Sequence, residues 1–269
     1  MNRIGSDITI REVWEDNLRD EFGQIGEIVD IYPHVAVNVE FPGEIVQRLG
    51  NFESPADSRY QTLQTNVELL HPIRITFTFF DDAGDLPRFS SDKACRCVWL
   101  FNFREFDVDA DMADPDAVEL LRGHGVDFGK FREQGINACD FGALLMPSGA
   151  VLNDSVEWIT FDGGYDMAFL LRILTGRRLP ETREGFFELV NIFFPTVYDV
   201  KHLTAFCDDL DGGFVQVAEQ LGVEKVGVCH QAGCDSLVTA RVFRKMKEKY
   251  FDGAIEKYGG SLHGLNLNN

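Results

Sequence analysis

In the alternating stretch "HVAVNVEF", Asn38 and Glu40 stand two residues apart. In a strand, residues i and i+2 share one face, roughly 6–7 Å apart. Val35, Val37, Val39 and Phe41 then take the other face. Further along, Asp166 opens a helical pattern just after the strand-like run "VEWITF", and His230 stands five residues before Asp235 at the start of the final helix. Hard divalent cations take oxygen ligands, and a nearby imidazole can accept a proton from an attacking water. Two such cations clamp an in-line phosphoryl displacement, stabilising the attacking and leaving oxygens. Each residue also has a plainer explanation. Alternating strands often carry a solvated polar face, a carboxylate at a helix start is ordinary capping, and a lone histidine is more often structural.

The elements that must position these groups are legible from periodicity. Residues 10–30, "IREVWEDNLRDEFGQIGEIVD", have helical apolar spacing and predict an amphipathic helix. Strands are expected at 34–41, 73–80 and 95–103, with "DDAGD" (81–85) as a turn suited to antiparallel pairing. From Asp114 the pattern changes: "DPDAVELLRGHG" has an Asp N-cap, Pro at the first helical position and Gly near its end. Further helices are expected at about 127–133, 138–146, 166–175, 183–193 and 233–250, with short strands at 156–161 and 196–200. Strands first, then helices and strands in alternation, predict an α/β fold with a mixed sheet covered by helices. No internal repeat or low-complexity linker is visible, so residues 1–269 read as one domain.

Composition limits the functions open to this chain. It has 269 residues, 45% of them hydrophobic, and a formal net charge of -19. Bulk charge therefore cannot grip long nucleic acid, since phosphate neutralisation needs a basic surface; a short strand in a cation-holding pocket is still open. The six cysteines fit no small secreted disulfide framework, and a reducing compartment is expected. No signal peptide and no membrane-length apolar run is visible, so no membrane partner is expected. "DVDADMADPDAVE" (107–119) fails as a calcium loop, with Met112 where the turn glycine belongs and Val118 where the closing Glu belongs. The cysteines give no paired Cys-x2-Cys zinc frame.

Several stretches, in order, carry a resemblance over nearly the whole chain: "IREVWEDNL" (10–18), "EFPG" (40–43), "YQTLQTNVELL" (60–70), "WLFNF" (99–103), "GYD" (164–166), "FFPTVYDVKHL" (193–203) and "HQAGCDSL" (230–237). Together they resemble the Caf/Pop-type poly(A) nucleases, catalytic subunits of the Ccr–Not mRNA deadenylation complex. These lie in the histidine branch of the DEDD superfamily of 3′→5′ exonucleases. The family's Asp-x-Glu motif falls on Asn38 and Glu40, its second Asp on Asp166, and its His-x4-Asp motif on His230 and Asp235. The resemblance implies an RNase-D-like (ribonuclease H-like) fold, two divalent cations (Mg²⁺ or Mn²⁺), and release of AMP from a poly(A) 3′ end. It implies Asn38, Glu40, Asp166 and Asp235 as the metal-site positions, and His230 as the base taking a proton from water. It further implies a large scaffold subunit, a second nuclease and antiproliferative adaptor proteins as partners, in the cytoplasm and also the nucleus. Phe41 is the best candidate to stack on a base, and Lys201 a candidate phosphate contact.

The departures from the pattern matter as much. The family's first Asp would touch both metals; Asn38 offers one neutral carbonyl in its place. One metal would keep Glu40 and Asp235, the other chiefly Asp166, so weak or absent activity is expected. Val39 replaces the usual Thr, and Asp162 stands where the family carries His or Asn. Asn38 is consistent with an inactivating substitution, a natural pseudoenzyme, or a variant working through its other ligands. Two functions follow: a poly(A) 3′-exoribonuclease with an impaired centre, or a silenced chain serving as a binding and scaffold subunit.

Overall fold

The computed structural model describes residues 2–4, 8–47, 54–89, 95–224 and 234–266. Their strands form one sheet: β1 (Asn2–Ile4), β2 (Ile8–Val13), β3 (His34–Glu40), β4 (Arg74–Phe80), β5 (Arg96–Asn102), β6 (Glu157–Thr160) and β7 (Thr196–Asp199). The order is β1-β2-β5-β4-β3-β6-β7. Strand β3 pairs antiparallel with β4 (Asn38 opposite Thr76, Glu40 opposite Arg74) and parallel with β6. β4 and β5 pair antiparallel, as their turn chemistry predicts. The reversal at that turn uses Gly84 at φ +80°, with its amide donating to the Asp81 carbonyl at 2.8 Å.

The helices are α1 (Leu18–Ile28), α2 (Pro55–Leu69), α3 (Pro115–Gly123), α4 (Phe128–Gln134), α5 (Ala138–Leu145), α6 (Gly164–Thr175), α7 (Arg183–Phe193), α8 (Val200–Leu203), α9 (Phe214–Gln220) and α10 (Cys234–Tyr250). Period-two alternation sorts β3 between two cores. Val35, Val37 and Val39 join Phe77, Trp99, Trp158 and apolar residues of α1, α2, α5 and α6. Ala36 joins Phe80, Leu100 and the buried face of α10. Asn38 and Glu40 continue the Ala36 side, so they face the layer that α10 occupies. The Thr78 and Ser236 hydroxyls, 2.8 Å apart and buried, fix α10 against β4.

The predicted helix over 10–30 is corrected. Residues 8–13 form β2, in parallel register with β5 from Ile8 opposite Arg96 to Val13 opposite Phe101, and the helix begins only at Leu18. Asn17 breaks the run: its side chain accepts from the Trp14 amide at 2.8 Å and donates to the Glu12 carbonyl at 3.1 Å, closing a turn. Backbone pairing offered by β5, invisible to local periodicity, outweighs helical propensity here. Helix α2 was not anticipated, because its surface is polar. It is nevertheless well capped, with the Ser54 hydroxyl accepting from the Ala56 amide at 3.2 Å and proline in the first turn. Among the described residues, no helix is long and apolar enough to cross a membrane.

Candidate active site

The predicted carboxylates stand on three elements: Glu40 at the end of β3, Asp166 in the first turn of α6, and Asp235 in the first turn of α10. β6 leaves β3 after Ala36, which pairs with Ile159. Further along β3, the Val39 amide donates to Asp166 Oδ1 at 2.8 Å, where a strand neighbour would otherwise accept. The Thr160 hydroxyl donates to Asp166 Oδ2 at 2.5 Å. Gly163 permits that reach, because a Cβ there would stand 2.1 Å from Thr160 Oγ1. Asp166 is 7% exposed, and burial pushes its carboxyl up to about 7. The Thr160 hydroxyl and Val39 amide oppose the rise; the charges of Asp199 and Asp162 add to it.

Glu40 is also held above the usual carboxylate range, by burial first. The Arg74 guanidinium, with Nη1 3.4 Å from Glu40 Oε2, opposes this, and the neighbouring Asp235 carboxylate adds to it. Glu40 and Asp235 thus form a repelling pair, a donor arrangement that suits one hard divalent cation. A second cation would fall chiefly to Asp166, which keeps a free lone pair on each oxygen. Asn38 is half-buried on the same face and brings no charge, and both Asp166 oxygens are already engaged inside the protein. Among the described residues, no three His, Cys, Asp or Glu side chains gather as a metal-holding group.

His230 lies outside the described residues. Phe41 is half-buried, its ring tilted against Tyr165 (centroids 4.8 Å apart) and Phe169 (5.3 Å) at the start of α6. Lys201 donates from Nζ to the Gly212 carbonyl at 2.5 Å, a loop contact that accounts for it structurally. Asp162, at φ +56°, turns outward to Arg59 at 2.5 Å; the left-handed conformation is one that Asp tolerates. Asp107 and Asp109 of the rejected calcium loop both pair with Arg132. Cys95, Cys97 and Cys207 are buried free thiols, while Cys139 is free and exposed.

Sequence reasoning missed Thr160 and Asp199. Asp199 ends β7 fully buried, and its two oxygens accept five backbone amides: Asp162, Lys201 and His202 on Oδ1, Gly163 and His263 on Oδ2. Burial raises its pKa, and the amide donors oppose that rise. It ties the turn carrying Gly163 to β7 and so positions the start of α6. The Asp of "TVYDVKHL" before a short helix signalled an N-cap; its long-range donors had no local signal.

A mixed sheet with Glu40 of β3 beside Asp235 of α10, and Asp166 of α6 bonded to β3, agrees with the comparisons. The model of the CAF1 family ribonuclease matches residues 13–140 and 152–243. The chain belongs to the CAF1 ribonuclease family. It is 50% identical over 262 residues to an Arabidopsis thaliana protein, probable CCR4-associated factor 1 homolog 7, covering 97% of this chain and 95% of that one. It is 40% identical over 264 residues to the poly(A) ribonuclease pop2 of Schizosaccharomyces pombe, covering 97% and 77%. The S. pombe Pop2p structure in its Mg²⁺- and Mn²⁺-bound form superposes with a TM-score of 0.89, at 40% identity, over 95% of this chain and 99% of that one. Yeast CAF1, co-crystallised with the NOT1 MIF4G domain, matches with a TM-score of 0.78, at 28% identity, over 98% and 100%. The fold is therefore the ribonuclease H-like one of the DEDD superfamily.

Proposed function

We propose that this chain is a deadenylase-type 3′→5′ exoribonuclease that removes AMP from mRNA poly(A) tails within a Ccr–Not assembly, with turnover depressed by its own residue 38. The observation that carries this is the Glu40–Asp235 pair on a CAF1-family fold, with Asp166 held against the same strand through the Val39 amide. Glu40 and Asp235 would hold a divalent cation, which supplies Lewis-acid polarisation of a phosphoryl oxygen when bound. Asn38 orients by its carbonyl alone and leaves the site short of one negative charge. Asp166 braces β3 against α6 through the Val39 amide and the Thr160 hydroxyl. Phe41, beside Tyr165, offers a ring face for a terminal base. His230 is the proposed base toward water. Its partners would be a poly(A) 3′ end and a scaffold of the NOT1 kind, given the likeness to yeast CAF1, with the second nuclease and adaptor proteins of the assembly. Its place would be the cytoplasm and the nucleus, where such tails occur.

Asn38 favours a second reading, a silenced nuclease retained for binding. AMP release from 3′-poly(A) RNA in Mg²⁺, then Mn²⁺, for the chain and its Asn38→Asp variant separates the two. We expect N38D to be faster by about 100-fold or more, because a cation's charge stabilisation of the transition state is worth several kcal/mol. Equal, high activity in both would show that residue 38 is not limiting. No AMP from either would leave the scaffold role.

A further inference from the structure

The carboxylate pair faces a cation that belongs to the chain itself. Arg74 stands directly opposite Glu40 in the β3–β4 register, so both side chains leave the same face of the sheet. Its side chain is buried, its Nη1 is 3.4 Å from Glu40 Oε2, and its guanidinium carbon lies 5.4 Å from the Phe131 ring centroid. Among the described residues, the Arg74 Nε is buried without a hydrogen-bond partner. Among the described residues, Glu40 is the carboxylate that compensates this buried guanidinium. A divalent ion shared by Glu40 and Asp235 would need the same Glu40 oxygens and would meet a fixed positive charge beside its own ligand.

We propose that Arg74 is a built-in counter-ion to Glu40 that sets the site's affinity for divalent cations, neutralising Glu40 in the cation-free chain and opposing entry of the ion. This rests on Glu40 and Asp235 being the cation's ligands. Asn38 and Arg74 then act in the same sense: one removes a negative charge from the site, the other adds a positive one. Arg74 is a positioning residue, since it acts on the cation through Glu40.

The test is Mn²⁺ binding by the full chain, followed by isothermal titration and by the loss of the free-ion paramagnetic signal. Arg74→Gln is expected to bind Mn²⁺ at least about tenfold more tightly, because charges a few Å apart near a protein surface interact by kcal/mol amounts. Arg74→Met, which keeps an apolar stem against Phe131, should do the same and serves if the Gln form does not fold. Arg74→Lys keeps the charge and should stay within about twofold of the parent. In EDTA, the Gln form should melt lower than the parent and gain more in melting temperature from Mn²⁺, as one cation replaces another. If the Gln and Met forms bind no more tightly while Asn38→Asp does, the role of Arg74 is overturned and the cation site stands. If no form shows saturable Mn²⁺ binding, the cation site and the proposal fall together.

Discussion

Replacing Asp166 with Asn should make the cation-free protein more stable in alkali relative to the parent. The carboxyl is pushed from 3.8 to about 7, chiefly by burial. A group whose pKa is raised on folding stabilises fully below its unfolded value, and loses that contribution as pH rises through the folded value. At about 1.4 kcal/mol per factor of ten in protonation, the parent should lose about 3 kcal/mol of stability through this group between pH 5 and pH 8.5. An amide at 166 keeps an oxygen for the Val39 amide and can donate to the Thr160 hydroxyl, so both contacts survive without a titrating charge. His34 is a second group whose pKa is raised on folding. Burial favours its neutral form, but hydrogen bonds and charge from Glu157 and Asp82 prevail and raise its pKa. That contribution falls with rising pH in the same direction, is common to both proteins and cancels in the comparison. The assay is urea denaturation in EDTA at the two pH values. The stability of D166N minus that of the parent should be about 3 kcal/mol larger at pH 8.5, whatever constant offset the substitution adds. Parallel stability–pH curves for the two proteins would refute the argument that the buried carboxylate is strained when ionised.

Two further outcomes are expected. Asp199→Asn turns an NH2 group toward amides that need an acceptor and should cost about 3 kcal/mol in urea denaturation; a loss below about 0.5 kcal/mol would show that the five-amide cradle is not needed. Phe41→Ala should weaken binding of a short poly(A) strand by about tenfold in fluorescence anisotropy, the scale of one base stack, whereas Phe41→Tyr should not; equal affinity in all three would assign Phe41 to packing against Tyr165 and Phe169 alone.

Local rules carried the sequence a long way. The strict alternation of 34–40 fixed which β3 side chains share a face, because the pleat has a period of two. Asp114 and Pro115 marked a helix start through capping chemistry, and Asp114 does accept from the Asp116 amide at 2.9 Å. The motif spacings, in order, nominated Glu40, Asp166 and Asp235. What lies between partners distant in the chain was not legible. Residues 10–13 look helical until β5 offers its parallel edge. The Arg74–Glu40 pair depends on the register of two strands 34 residues apart, and the Asp199 cradle on amides up to 64 residues away. Residue types and spacing decide which groups can do chemistry, because they act through short-range geometry. Which of those groups are already satisfied, opposed or neutralised is decided only by tertiary contact. For that reason the sequence alone determined the family, and the folded chain decided that Asp166 is internally bound and that Glu40 already faces an arginine.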